Sequence, residues 1–250
     1  VTVAHGEEWL SYHLRRFLWQ ATLTNPLARY YLIIPYYPDG REDALRWKQR
    51  LAPHFTEIAL TRIKHIPGRL VYYEVLRSKC LEAFGLKECL YLDADADILD
   101  DLDHVRTLHP EANLLWVPNA VSPAEVKDEL LAHKLPTTPP YADPGFLYMR
   151  RSYASEFERA RREFTQMPIE RIHVPGAAMW NVAMRRAGDT AALDYAYDTV
   201  YWVNQALHSA HVLHFPSARG KHQRKWYDLS GWPDKIEIRL HTPVEPDLRW

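Results

Sequence analysis

Cysteine is scarce: Cys80 and Cys89 are the two such residues in a chain of 250. A pair of this kind builds neither a disulfide framework nor a zinc-ligand pattern, and it suits a reducing compartment, so a cytoplasmic protein is expected. Long apolar runs are also missing. No stretch approaches the roughly 20 residues that a membrane helix needs, and no membrane span is expected. Nothing at the start reads as a signal peptide. The chain opens on Val1 rather than Met, which leaves room for native residues before it. Excess charge of either sign is lacking too. The net charge is −1, so no bulk field recruits nucleic acid or an anionic membrane. There is no internal repeat and no low-complexity linker, so one domain is expected over residues 1–250. What is present is ordinary for a globular chain: 47% hydrophobic and 25% charged residues, enough to bury a sizeable core. Nine Trp and fifteen Tyr serve either as packing or as stacking platforms for bases and sugar rings, and composition leaves both readings open.

The order of elements is more informative. Residues 1–4 read as a short strand, and His5-Gly6-Glu7 as a turn into a helix. Along that helix Leu10, Leu14, Phe17, Leu18 and Ala21 share one face, and Asn25-Pro26 stops it. Strands over 30–35 and 55–60 flank a helix over 42–51 that Pro53 ends. Pro67-Gly68 breaks the chain, and a helix over 70–84 follows with Gly85 as its stop. Such alternation predicts an α/β fold with a mostly parallel central sheet. The second half is less regular. Strands are expected over 114–117, 145–149 and 211–215, and helices over 124–134, from Ser152 to about residue 164, and over 176–187. Residues 136–140 form a proline-rich loop, either a lid or a surface connector, and 192–203 is an aromatic strand or loop.

The chemistry concentrates in Leu90-Tyr91-Leu92-Asp93-Ala94-Asp95-Ala96-Asp97. An apolar strand ends in carboxylates at every second position. Side chains alternate along a strand, so Asp93, Asp95 and Asp97 would face the same way if the strand continued. Clustered carboxylates cannot all be buried as charges without compensation. A divalent cation supplies it, and hard oxygen ligands suit Mn²⁺ or Mg²⁺. The bland alternative is a set of turn and cap residues, which is the expectation for Asp100, Asp101 and Asp103 just downstream. Carboxyl ends of strands are where open α/β sheets bind ligands.

Residues 87–95, Lys-Glu-Cys-Leu-Tyr-Leu-Asp-Ala-Asp, resemble the DxD region of GT-A fold glycosyltransferases, and of glycosyltransferase family 8 in particular, the glycogenin and lipopolysaccharide galactosyltransferase group. The resemblance implies a Rossmann-like nucleotide-diphospho-sugar transferase fold in a single domain. Residues 1–103 would be the nucleotide-binding half and 104–250 the acceptor side. It implies a hexosyltransferase that uses a nucleotide-sugar donor, a UDP-sugar first, and a carbohydrate or other hydroxyl acceptor. Asp93 and Asp95 would then hold the metal, with Asp95 also counted as catalytic. Asp97 stands where the family has an apolar residue, so Asp95-x-Asp97 remains the rival pair. Asp143-Pro144-Gly145-Phe146-Leu147-Tyr148 is similar to the family's Asn-x-Gly strand, which puts Asp143 against the donor sugar as a catalytic candidate; a plain Pro-Gly turn is the alternative. His214-Phe215 and Gly220-Lys221 resemble the family's late His, Gly and Lys. That implies His214 as third metal ligand, with His211 as its rival, and Gly220 and Lys221 at the diphosphate. Arg77 and Lys79 would reach the phosphates, or else belong to a solvated helix face. Val3, Ala4, His5 and Gly6 would cradle the nucleobase. The family's acceptor-side Asp-Gln pair is replaced by Gly176 and Ala177, which leaves His173, Asp143, Asp194 and Asp198 as substitutes and the stereochemical outcome open.

Other classes compete. Arg219, Lys221, His222, Arg224 and Lys225, followed by Trp226 and Tyr227, form the one strongly basic patch. It reads as a solvated loop, as a cover for the diphosphate, or as a seat for a nucleic-acid acceptor such as hydroxymethylated DNA. An Asp-x-Asp after an apolar strand also opens the haloacid-dehalogenase-type phosphatases. There, however, the motif sits on the first strand, and here at least two strands precede it. A sugar-nucleotide-binding module without catalysis is the non-enzyme reading.

Overall fold

In the computed structural model, which describes residues 1–6, 9–63, 70–118, 124–163, 175–200 and 209–215, strand and helix alternate through the first hundred residues. The elements are β1 (Thr2–Val3), α1 (Leu14–Thr24), β2 (Tyr31–Tyr36), α2 (Arg41–Leu51), β3 (Glu57–Arg62), α3 (Leu70–Ser78), α4 (Cys80–Phe84) and β4 (Cys89–Leu92). Then come β5 (Ala96–Ile98), β6 (Leu114–Pro118), α5 (Ala124–Ala132), β7 (Ala142–Met149), α6 (Ala154–Glu163), α7 (Pro175–Ala187), β8 (Thr190–Ala192), β9 (Thr199–Val200) and β10 (Val212–His214).

The strands β1, β2 and β3 pair in parallel, as the alternation predicts. Beyond them the sheets are mixed. Both β4 and β6 run antiparallel to β7, while β8 runs parallel to β6. Val1 joins the two sheets: its amine donates to the Leu90 carbonyl at 2.7 Å, and its own carbonyl accepts from Leu92 N–H at 3.1 Å. A third small sheet has the order β5-β10-β9.

Alternation along the strands explains the two cores. Ile33, Tyr91, Leu114 and Leu147 face α3, α5, α6 and α7. Their neighbours Leu32, Leu92, Leu115 and Phe146 face α1 and α2. A sheet covered on both faces buries every position, and each fully buried Leu or Phe contributes about 1.5–3 kcal/mol. The stripe expected on the first helix, Leu10, Leu14, Phe17, Leu18 and Ala21, is buried throughout.

Two differences from the sequence pattern bear on the site. The helix expected over 70–84 is split at Lys79, where the backbone leaves helical geometry (φ −100, ψ 6). The Ser78 hydroxyl bonds back to the Val75 carbonyl at 2.7 Å, a competing bond that bends helices. The strand carrying the acids also stops early. It ends at Leu92, the chain turns through residues 94 and 95, and β5 starts in a different sheet. Asp93, Asp95 and Asp97 therefore do not share one strand face.

Candidate metal centre

The turn after β4 is set by backbone bonds. Asp93 N–H donates to Gly145 O at 3.0 Å, and Ala96 N–H to Asp93 O at 3.0 Å. Antiparallel pairing of β5 with β10 sets His214 opposite Ala96, and Phe215 N–H closes on the Asp95 carbonyl at 3.2 Å. This pairing carries a residue from near the end of the described chain to the acids. The His214 Nε2 atom lies 3.7 Å from Asp93 Oδ2 and 3.5 Å from Asp95 Oδ1. One ligand atom from each of the three lies within 4.8 Å of the others. On the far side of the ring, His214 Nδ1 lies 3.1 Å from Asp198 Oδ1. Asp143, Asp198 and His214 form a second, overlapping group. The Asp143 carboxylate accepts from Gly145 N–H at 2.9 Å.

Gly145 makes the approach possible. A Cβ there would lie 2.5 Å from His214 Cε1, closer than real contacts allow, and 3.2 Å from Asp143 Oδ1, tighter than most. Asn181 of α7 secures the strand beside it. Its side chain accepts from Ala142 N–H at 2.9 Å and donates to Ala142 O at 3.1 Å, holding the start of β7.

Asp97 goes elsewhere. Arg16 of α1 bonds to both of its oxygens, at 3.1 and 2.5 Å, as a partly buried bidentate pair. The rival Asp95-x-Asp97 pair is thus not gathered with His214, and the Asp93-x-Asp95 register is.

Arg77 is fully committed inside the cluster. Its Nη2 donates to both Asp93 oxygens at 2.7 and 2.9 Å, and its Nη1 to both Glu74 oxygens at 2.8 and 3.0 Å. Its Nε donates to Tyr91 OH at 3.0 Å, and that hydroxyl donates to Asp93 Oδ1 at 2.6 Å. Burial pushes Glu74 up to about 7 against the pull of Arg77. Burial also raises Asp93, and raises Asp198 to about 6, in each case against a neighbouring cation. Burial lowers the His214 imidazole, but Asp198 and Asp95 more than offset it and hold the ring well above its usual value. Five carboxylates thus crowd two cationic groups in a largely buried site. That excess of hard oxygen donors, with one imidazole among them, fits Mn²⁺ or Mg²⁺.

No protein-family profile and no curated protein sequence matches the chain. Solved structures do. The galactosyltransferase LgtC, in complex with donor and acceptor sugar analogs, matches with a TM-score of 0.63 at 13% identity, over 98% of this chain and 96% of that one. The chain has the GT-A fold. The glycosyltransferase GlyE of Streptococcus pneumoniae TIGR4 matches at 15% identity with a TM-score of 0.55, over 87% of this chain and 55% of that one. Mouse xyloside xylosyltransferase 1 matches at 11% identity with a TM-score of 0.50, over 88% of this chain and 97% of that one.

Within this GT-A fold the remaining candidates fall in different places. Val3 and Ala4 are buried at the end of β1, His5 stacks edge-on against Tyr37, and Gly6 takes a left-handed turn at φ 85. Lys79 is exposed at the break between α3 and α4, and its charge is felt by Glu158 of α6. Asp194 is spent on a local turn, accepting from Ala196 N–H at 2.9 Å, whereas Asp198 is at the site. His211 pairs with Asp100 at 3.3 Å, away from the cluster. Gly220, Lys221, His173 and the basic patch with Trp226 lie outside the described residues. Among the described residues no helix is long and apolar enough to cross a membrane. Three strands precede the acid-bearing one, which does not fit the phosphatase reading. Glu74 and Tyr91 escaped the sequence reading. The one signal for Glu74 was its helical i, i+3 spacing to Arg77.

Proposed function

We propose that the protein is a metal-dependent glycosyltransferase that moves a hexose from a nucleotide-diphosphate sugar, a UDP-sugar first, to a hydroxyl acceptor. The observation that carries this reading is the convergence of Asp93, Asp95 and His214 at the carboxyl end of β4 in a GT-A fold. These three residues would hold Mn²⁺ or Mg²⁺, which as a Lewis acid neutralises charge on a departing nucleoside diphosphate. The similar structure of LgtC, in complex with donor and acceptor sugar analogs, supports the same class.

The chain's own residues divide the work. Asp198 sits on His214 Nδ1 and turns Nε2 toward Asp93 and Asp95. Such a carboxylate partner orients a ligating imidazole and raises its basicity. Tyr91 and Arg77 fix the Asp93 carboxylate from behind. Asp143, half-buried beside Gly145, is the carboxylate assigned to the donor sugar. Lys221 and Gly220 are assigned to the diphosphate, and Val3, Ala4, His5 and Gly6 to the base. Arg77 reaches phosphate only if it gives up one of its present partners, so its assigned part is to hold Asp93.

Asp95→Ala tests the reading. With a panel of nucleotide sugars and Mn²⁺, wild-type protein should hydrolyse or transfer at least one donor. The variant should lose that activity by at least about a hundredfold while keeping its circular dichroism, since removing a metal ligand removes the charge stabilisation it supplied. Near-normal turnover in the variant refutes the metal assignment. Mn²⁺-dependent nucleotide binding without any turnover in the wild type would favour the binding module.

A further inference from the structure

Arg77 is one positive charge between two carboxylates. A guanidinium closed bidentately on Asp93 alone would make a neutral pair, and a neutralised carboxylate is a poor ligand for a hard cation. Glu74 changes that balance. It takes Nη1 while Asp93 takes Nη2, so the Glu74–Arg77–Asp93 triad carries a net negative charge beside Asp95 and His214 once both carboxylates are ionised.

We propose that Glu74 is a positioning residue of the cation site: seated in the space that Gly176 leaves open, it draws Arg77 partly away from Asp93 so that Asp93 keeps its charge for a divalent cation. This rests on the cation reading given above.

Three observations bear on it. Glu74 is only 5% exposed, and its partner Arg77 is nearly as enclosed, so the two are not an ordinary ion pair on a solvated helix face. Burying a carboxylate is costly, and the rise of Glu74 to about 7 reflects that burial. The third is Gly176, in the first turn of α7. A Cβ at that position would lie 2.3 Å from Glu74 Cγ and 2.5 Å from both Cδ and Oε1. The glycine is required by space, and the occupant of that space is the Glu74 side chain. Gly176 and Glu74 therefore form one unit, although they lie on different helices.

The experiment uses Mn²⁺ alone, titrated calorimetrically into the full chain at pH 8, where Glu74 is ionised. Glu74→Gln keeps the shape and removes the charge. It should weaken Mn²⁺ binding about 10- to 100-fold, the range found when groups behind a metal ligand are changed, with little loss of thermal stability. Gly176→Ala should weaken binding in the same direction, because the methyl group displaces the carboxylate. Glu74→Ala leaves Gly176 untouched, removes the side chain that the glycine accommodates, and should weaken binding as much as Glu74→Gln does. Wild-type affinity in Glu74→Gln overturns the proposal. Should Glu74→Gln or Gly176→Ala fail to fold, Glu74→Ala decides: affinity weakened about 10-fold or more supports the proposal, and wild-type affinity overturns it. Wild-type protein that binds no Mn²⁺ overturns the cation reading itself and this inference with it, a result distinct from unchanged affinity in Glu74→Gln.

Discussion

At the scale of single residues, the site is a problem in charge, and His214 is where it shows in solution. Its ring is buried, which disfavours the cation, yet Asp198 and Asp95 hold its pKa well above 6.5 in the folded chain. A raised folded pKa means the native state binds the proton more tightly than the unfolded chain does. The resulting stability is complete below the unfolded value of 6.5 and drains away as pH climbs through the folded value. Asp198, raised to about 6, tilts stability the same way at lower pH: it falls as pH rises from 3.8 to about 6 and then levels off. In chelator, urea denaturation across pH should therefore show declining stability above 6.5, and His214→Gln should flatten that decline. Mn²⁺ affinity should move the other way and rise with pH, because a ligating imidazole must first lose its proton. Stability that does not decline above 6.5, or a slope unchanged in His214→Gln, would refute this account of the His214–Asp198 pair.

At the scale of elements, β7 is the piece that lets the others meet. It carries Asp143, it receives Asp93 N–H at Gly145 O, and it yields space to the His214 ring at Gly145. Gly145→Ala leaves the backbone unstrained, since Gly145 is not in the left-handed region, but pushes a methyl into the ring. The expected outcome is a drop of about tenfold or more in Mn²⁺ affinity, comparable with other displaced supports of a metal ligand, with the strand content by circular dichroism retained. Unchanged affinity would mean that His214 is not a ligand. This element also marks the limit of what the sequence discloses. The stripe on α1, the apolar β4 and the Asp93-x-Asp95 pair were legible, because periodicity and composition encode burial and charge directly. The direction of β7 was not: an apolar alternation looks the same in parallel and antiparallel pairing. Asp97 leaves the cluster for a related reason. Equal spacing puts three acids on one face only while the strand continues, and here it ends at Leu92, which sends Asp97 to Arg16. The unit of Glu74 and Gly176 was illegible because it depends on what another helix leaves empty.

At the scale of the whole molecule, the candidate centre lies where separately built sheets come together. Asp93 follows β4 of the mixed sheet, while His214 belongs to β10 of the small sheet, and Val1 links β4 to the parallel strands. A cation shared by Asp93, Asp95 and His214 would tie elements that are far apart in sequence and absent as a set from the unfolded chain. Ligand that binds only the folded state stabilises it by mass action, by about 2.7 kcal/mol at a hundred times its dissociation constant. Mn²⁺ with UDP should therefore raise the thermal midpoint of the whole chain, and each alone should raise it less, since a nucleoside diphosphate brings its charge to a site that already holds an excess of carboxylates. Without the cation that anion should be repelled; with it the two should bind cooperatively. Chelator should return the midpoint to its starting value, and Asp95→Ala should show no joint shift. A midpoint that rises with UDP as much in chelator as in Mn²⁺ would mean that the nucleotide binds away from these acids, and the charge argument for the centre would fail.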